Sequence, residues 1–244
     1  MKHLIYLAFL TLLTFSCTSG PAFLGTSQDG AITSKYKTMT IADGYMYAVN
    51  HQELITFDLS DQSDPKEIDR KEVTNVNIEN IYHAEKALFI GSQSNMHIYQ
   101  IADNGVPESK SDTPYFLSNA DNEIRICDPV AASNEIAYAT LSSERWINAG
   151  GCSSMVTVNE LRTYDVSDLE NPENLYTFQA ENPQGLSIDG DYLFMSDGTA
   201  GFKVYELNHK GGVMLIGTYE GPCYDLVAEN GKLLVVSKNE INQY

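Results

Sequence analysis

The chain is poor in basic residues. It has 15 Lys and Arg against 33 Asp and Glu, a formal net charge of −18 over 244 residues. A nucleic-acid-binding protein needs a basic surface, so this balance argues strongly against that class. Hydrophobic residues make up 43% of the chain, which is ordinary for a folded domain and too many for a disordered one.

Long apolar runs are also absent beyond the N-terminus. The run from Leu4 to Phe15, LIYLAFLTLLTF, is uncharged and follows a short polar start. It is shorter than the roughly 18 residues that a membrane-spanning helix needs. Residues 1–16 are therefore predicted to be a signal peptide, and the remainder to be exported.

A cysteine follows this apolar run at once. Ser16-Cys17 resembles the lipobox of bacterial lipoproteins, with the departure that Thr14 stands where Leu is usual. The resemblance implies that Cys17 becomes the lipidated first residue and that residues 17–35 form a linker. The protein would then be attached to its membrane partner through these acyl chains alone. The alternative is an ordinary cleaved signal peptide.

No helical pattern interrupts the rest of the chain, and short β-prone runs recur in it. Five such runs begin at Tyr45, Ala87, Ile136, Tyr192 and Leu233, which places them 42, 49, 56 and 41 residues apart. A second run follows each of them, namely LITFD, MHIYQ, LRTYD, FKVYE and INQY. The first four of these alternate in polarity as a strand does. Turn-rich segments ending in proline, such as 60–65 and 167–172, lead into further β-prone stretches.

One repeat unit therefore predicts four antiparallel strands. A lone four-stranded sheet would expose two apolar faces, which only neighbouring sheets can cover. Residues 36–244 are predicted to be all-β and to form a single five-bladed β-propeller. The fifth unit ends after three strands. Residues 21–27 contain Phe23-Leu24-Gly25-Thr26, which resembles Leu215-Ile216-Gly217-Thr218 of unit four. They either supply the missing strand or belong to the linker.

The segment LRTYDVSDLENPENLYTF, and more weakly LITFDLSDQSDP and FKVYELN, resemble the LVIVD repeat. The stretch from Ile124 to Tyr244 is similar to LVIVD lipoproteins of Bacteroidetes, and the likeness extends over roughly residues 36–244. Unit two departs from the pattern at 100–104, and the usual final strand is missing. The resemblance implies a β-propeller at the bacterial cell envelope, with the outer membrane as the expected site of anchoring. It implies no particular reaction.

Aligning the five units places one polar residue at the same level of each inner strand. The inner strand is the first strand of each unit, and the runs that begin at Tyr45, Ala87, Ile136, Tyr192 and Leu233 are the second strands. The polar residues stand eight positions before these starts and are Lys37, Glu79, Asp128, Gln184 and Asp225. In a propeller this level lies at the mouth of the central channel. The set predicts a site for a cation, a water cluster or a small polar ligand, while solvated strand ends are the plainer alternative.

Sequence signatures of catalysis are missing. The five histidines share no metal-ligand spacing, and neither a Gly-x-Ser-x-Gly elbow nor a phosphate-binding glycine loop occurs. We predict no catalytic residue, no metal and no cofactor. Asp197-Gly-Thr-Ala-Gly is assigned to a hairpin turn rather than to calcium binding.

Cysteine and tryptophan are scarce too. Cys127 and Cys152 are the favoured disulfide pair, because an exported chain meets oxidising conditions. The insertion from Ser142 to Thr157 holds the only tryptophan. Arg145, Trp146 and Asn148 are its candidate interaction residues, the alternative being a surface loop pinned by the disulfide.

The sequence thus predicts an exported, lipid-anchored propeller that binds or scaffolds a ligand, an envelope protein or a carbohydrate. Nucleic acid is not expected among its partners. A carbohydrate-active enzyme using the channel carboxylates, or a purely structural envelope component, are the alternatives.

Overall fold

The structure is a computed structural model, and it describes residues 36–74, 77–116, 129–143, 158–208, 210–237 and 240–244. Residues 36–244 belong to one compact unit. The strands of the described residues are β1 Thr38–Ala42, β2 Tyr45–Val49, β3 Glu53–Asp58, β4 Lys66–Glu72, β5 Ile78–Ala84, β6 Ala87–Ser92, β7 Asn95–Ile101, β8 Pro107–Pro114, β9 Val130–Ser133, β10 Ile136–Ser142, β11 Asn159–Asp165, β12 Glu173–Gln179, β13 Leu186–Asp189, β14 Tyr192–Ser196, β15 Phe202–Leu207, β16 Val213–Tyr219, β17 Asp225–Glu229, β18 Lys232–Val236 and β19 Ile241–Gln243.

These strands form five separate antiparallel sheets, which are the blades of a propeller. The sheets are β1–β4, β5–β8, β9–β12, β13–β16 and β17–β19, each in simple sequential order. The predicted five-bladed all-β propeller is confirmed. The fifth blade has three strands among the described residues. The segment 21–27, which either supplies a fourth strand or belongs to the linker, lies outside the described residues.

Burial follows from the position of each strand in its blade. The second strands β6 and β10 are buried along their whole length, because neighbouring blades cover both of their faces. The outer strands β4, β12 and β16 are mostly exposed. This difference explains why the second-strand runs are the most continuously apolar part of each repeat.

Apolar clusters hold neighbouring blades together. One cluster joins the first and second blades around Leu54 and Ile90, another joins the second and third around Met96 and Leu141. Burying each aliphatic side chain of this kind contributes roughly 1.5–3 kcal/mol. The third and fourth blades meet around Leu161, and the fourth and fifth meet around Leu226.

Each of the first four blades repeats one irregularity. The pairing of its third and fourth strands shifts immediately before an aromatic residue, namely Phe57, Tyr99, Tyr164 and Tyr205. A bulge at this point increases the local twist of the strand. The sequence repeat therefore encodes a repeated backbone geometry as well as a repeated apolar pattern.

The boundary between the last and first blades differs from the other four. Inner strands β1, β5, β9, β13 and β17 each pack against the next one, but no comparable contact joins the fully described strands β17 and β1. Met39 of β1 and Val227 of β17 are consequently 53% and 51% exposed. Their counterparts in the inner strands of the other blades, Ile81, Val130 and Leu186, are buried.

The described part of the chain contains no helix with the length and apolar character required to cross a bilayer.

Candidate functional site

A cavity of about 900 Å³ runs along the inner strands of the propeller. All five blades contribute to its wall, the third through Pro129. Four of the five polar residues predicted from the repeat alignment line it: Lys37, Glu79, Gln184 and Asp225. The sequence register thus identified side chains from four blades that face one common space. Asp128, the fifth, lies outside the described residues.

Lys37 and Glu79 form an ion pair within this cavity. The Lys37 Nζ lies 3.0 Å from Glu79 Oε2 and donates a second hydrogen bond of 2.6 Å to the carbonyl oxygen of Ile78. The Glu79 side chain is almost fully buried and that of Lys37 is one-third exposed. The pair links the first blade to the second and neutralises a carboxylate that would otherwise be costly to bury.

Asn80 connects the second blade to the third. Its side-chain amide donates 2.8 Å to the carbonyl oxygen of Val130, and its Oδ1 accepts 2.9 Å from the Val130 amide. Both polar groups of one backbone residue are therefore satisfied by a single side chain. Asn80 holds the inner strands of the second and third blades in fixed relation along the cavity wall.

Gln184 is positioned by its backbone and leaves its side-chain amide available. Its N–H donates to Ser196, and its carbonyl oxygen accepts 3.1 Å from Thr140 Oγ1. The residue is only 6% exposed, yet its side-chain amide makes no hydrogen bond to the described residues. Buried amides normally have partners. Its position in the cavity wall makes it a group that a bound polar molecule would satisfy.

Asp225 occupies space that the adjacent blade leaves free. An added Cβ at Gly185 would overlap the Asp225 Oδ1 and lie 3.2 Å from its Cα. Any larger residue at position 185 would displace the Asp225 carboxylate. The lack of a side chain at Gly185 therefore allows the carboxylate to take this position. Asp225 Oδ1 also accepts 2.9 Å from the Leu226 amide.

Acidic groups outnumber basic ones around the cavity. Glu79, Asp225 and Glu229 line it together with Lys37 and His83. Since Lys37 is already paired with Glu79, the remaining carboxylates favour hydroxyl or ammonium groups over anions. Among the described residues, no group of three or more His, Cys, Asp or Glu is arranged to hold a metal ion.

Cys223 lies beside this region as a buried thiol. Burial raises its pKa to about 11, and the Asp225 charge adds to the effect. The group is thus protonated at neutral pH, which is unlike a reactive cysteine. The other predicted residues, Cys17, Cys127, Arg145, Trp146, Asn148 and Cys152, lie outside the described residues.

A Ser–His–Asp network in the second blade was not anticipated from the sequence. His97 Nε2 lies 3.0 Å from Ser92 Oγ, and its Nδ1 lies 2.7 Å from Asp112 Oδ1. Ser92 is fully buried and the Asp112 side chain is 59% exposed, the reverse of a hydrolase triad. The serine hydroxyl cannot reach a substrate, so the network braces strands β6, β7 and β8.

Asp197 is a second feature that spacing did not predict. Its buried carboxylate lies 2.5 Å from Lys203 Nζ and accepts from the amides of Glu181 and Asn182. The turn 197–201 connects β14 to β15, as a hairpin does. With its charge already neutralised by protein groups, Asp197 anchors this turn. Its position directly after a second strand was the available signal, since polar residues occupy that position in every unit.

No protein-family model matches the chain. No curated protein matches it either. Among solved structures, it is similar to the extracellular domain of the one-component system BT4673 from B. thetaiotaomicron, with a TM-score of 0.56 and 13% identity. The match covers 90% of this chain and 28% of that one. The designed protein Ika4 also matches, with a TM-score of 0.47 and 8% identity over 71% of this chain and 93% of its own. The first likeness supports the fold.

Proposed function

We propose that the protein is an exported, lipid-anchored binding module of the bacterial cell envelope whose central cavity holds a small polar ligand. One observation carries the proposal. Polar side chains at one aligned position of four different repeats line a single cavity of about 900 Å³. That volume lies in the range of small-molecule sites.

The lining chemistry supports a neutral polyhydroxylated or positively charged ligand. Gln184 offers an amide without a partner among the described residues, and Asp225 offers a carboxylate at the cavity wall. Both can accept hydrogen bonds from hydroxyl or ammonium groups. Carbohydrate fits this description and is abundant at cell surfaces, so the binding module and the carbohydrate-active alternative share a ligand class.

Native mass spectrometry tests the proposal. The chain is purified after signal-peptide removal, without reducing agent or chelator, and its mass is compared with that of Asp225→Asn. The matched control is Asp103→Asn, which removes an equal charge from a fully exposed loop residue. A retained small molecule that is lost only in Asp225→Asn supports the cavity as the site. A bare mass in all three proteins contradicts the proposal and favours the segment around Trp146 as the interaction region.

The location is proposed on separate grounds. The lipobox-like Ser16-Cys17, the LVIVD resemblance and a structural neighbour that is itself an extracellular domain support export. Metabolic labelling with a fatty-acid probe tests the anchor. We expect incorporation into the wild-type chain and none into Cys17→Ala, together with release of that variant from the membrane fraction. Equal labelling of both would contradict lipidation at Cys17.

A further inference from the structure

The cavity already holds one primary ammonium group, which belongs to a lysine side chain. Lys37 Nζ of the first blade lies 3.0 Å from Glu79 Oε2 of the second blade and 2.6 Å from the carbonyl oxygen of Ile78. A carboxylate oxygen and a neutral carbonyl oxygen therefore share the donors of one –NH₃⁺ group. This boundary between two blades shows how the cavity wall binds such a group.

The boundary between the fourth and fifth blades carries a different pair at the same aligned position. Lys37 and Glu79 hold that position in the first and second blades, and Gln184 and Asp225 hold it in the fourth and fifth. The inner strands pack against each other at both boundaries, β1 against β5 and β13 against β17. Equal repeat positions lie at equal spatial levels. A neutral amide thus stands where the lysine stands at the first boundary.

The Asp225 carboxylate is left without a cation. Its Oδ1 accepts a hydrogen bond of 2.9 Å from the Leu226 amide, and it forms no ion pair with the described residues. An ionised carboxylate can accept about four hydrogen bonds. Most of the accepting capacity of Asp225 is therefore available to a bound molecule.

The Gln184 amide is a second, independent sign of a ligand at this place. The residue is only 6% exposed, lines the cavity and makes no side-chain hydrogen bond to the described residues. Gly185, the next residue in the chain, borders the Asp225 carboxylate directly. The amide oxygen of Gln184 can accept from an ammonium group, as the carbonyl oxygen of Ile78 does from Lys37. The two acceptor types that hold the lysine are thus both present at the second boundary.

Apolar side chains continue the wall beyond these two acceptors. Val227 follows Asp225 on the same face of β17, roughly 6.5 Å farther along the strand. Met39 stands on β1, across the boundary between the last and first blades. Both residues line the cavity and are about half-exposed. An aliphatic chain that begins at Asp225 and follows β17 would cover apolar surface of both.

We infer that the ligand of the cavity is a primary aliphatic amine. Its ammonium group binds to Asp225 and Gln184, and its methylene groups contact Val227 and Met39. The inference rests on the proposed function and narrows its ligand to one chemical class. A polyol would use the same acceptors, but it would neither neutralise the Asp225 charge nor cover the two apolar side chains.

A titration followed by NMR tests the inference on the chain purified after signal-peptide removal. The probes are n-butylamine, 1-butanol, which has the same carbon chain without the charge, and glucose as the polyol. The Leu226 amide reports on the site because it donates to Asp225 Oδ1. We expect butylamine to shift this signal and the side-chain amide of Gln184 saturably. Its affinity should exceed that of 1-butanol by at least about tenfold, because hydrogen bonds between charged groups are the stronger ones.

Two variants separate the charged and apolar parts of the site. Asp225→Asn keeps the size of the side chain and should weaken butylamine binding by about tenfold or more. The matched control Asp103→Asn removes the same charge from an exposed loop and should change the affinity less than about twofold. Val227→Thr keeps the side-chain shape and adds a hydroxyl group. It should reduce the gain in affinity from ethylamine to butylamine, since the added methylene groups then bury less apolar surface.

The possible outcomes distinguish this inference from the proposed function. Equal affinity for butylamine and 1-butanol, or equal losses in Asp225→Asn and Asp103→Asn, would overturn the amine. If glucose alone shifts the Leu226 amide, the amine is overturned and the cavity remains a ligand site. If no probe shifts this signal, the amine is overturned as well, and the native mass of the purified protein then decides the proposed function separately.

Discussion

Gly201 and Gly44 allow the hairpin turn at the fourth blade to be tested against a matched position. Both have left-handed backbone, with φ of +96° and +84°. At Gly44 an added Cβ meets nothing within 4 Å. At Gly201 it would overlap the carbonyl oxygen of Tyr219 and lie 2.9 Å from its carbon. The two glycines therefore share the backbone penalty and differ in steric room.

The expected cost of each alanine follows from these contacts. Gly44→Ala should destabilise folding by about 1–2 kcal/mol, because an L-residue is strained in this region. Gly201→Ala should cost this amount plus about 1–3 kcal/mol, because overpacking must displace backbone of β16. The stacked rings of Phe202 and Tyr219, 4.6 Å apart, would be disturbed by that shift.

Urea unfolding of both variants measures the difference. The effect of Gly→Ala on the unfolded chain is the same in each and cancels in the comparison. If the slope of the unfolding free energy against urea concentration is the same in both variants, the same amount of surface is exposed on unfolding. If the two variants lose equal stability, within about 0.5 kcal/mol, the close approach of the turn 197–201 to β16 is refuted.

Three further predictions concern buried polar groups. Lys203→Met should destabilise the fold by about 3–5 kcal/mol, because it leaves the buried Asp197 carboxylate unpaired; adding Asp197→Asn should recover part of that loss in thermal unfolding. Burial lowers the pKa of His97, with the Asp112 interaction opposing it; the unfolded state therefore binds the proton more tightly, so stability should fall as pH drops below about 6.5, with a slope of at most about 1.4 kcal/mol per pH unit. His97→Asn should flatten the stability profile between pH 5 and 7 in urea titrations, and an identical profile would contradict the linkage. Asn80→Ala should cost about 1–3 kcal/mol in urea unfolding, since it strips both backbone groups of Val130 of their partner; an effect below about 0.5 kcal/mol would show that water replaces the amide.

Much of the blade architecture could be predicted from the sequence. Runs such as Ile136–Ser142 are apolar throughout because blades cover both of their faces, and the flanking turns mark the strand ends. The aligned polar position also located Lys37, Glu79, Gln184 and Asp225 in one cavity wall. A repeat imposes the same backbone path on each unit, so equal sequence positions become equal spatial levels.

The hydrogen-bond partners of the buried polar side chains could not be predicted from the sequence. Ser92, His97 and Asp112 sit on three strands, and nothing in their spacing indicates that they meet. The same holds for Asn80, which bonds to a residue 50 positions away. Cross-blade hydrogen bonds depend on side-chain direction and on the angle between neighbouring sheets. Neither is a property of local pattern.

The sequence by itself determined the strand period, the number of blades and the polar level of the inner strands. Burial of both faces makes the second strand of each unit a nearly continuous apolar run, and the repeat gives each unit the same backbone path. Only the tertiary structure decided which polar groups are paired with each other and which have no partner among the described residues. It also decided that Met39 and Val227 stay half-exposed, unlike their counterparts in the other blades. That difference arises at the boundary between the first and last blades, where two distant parts of the chain have to meet.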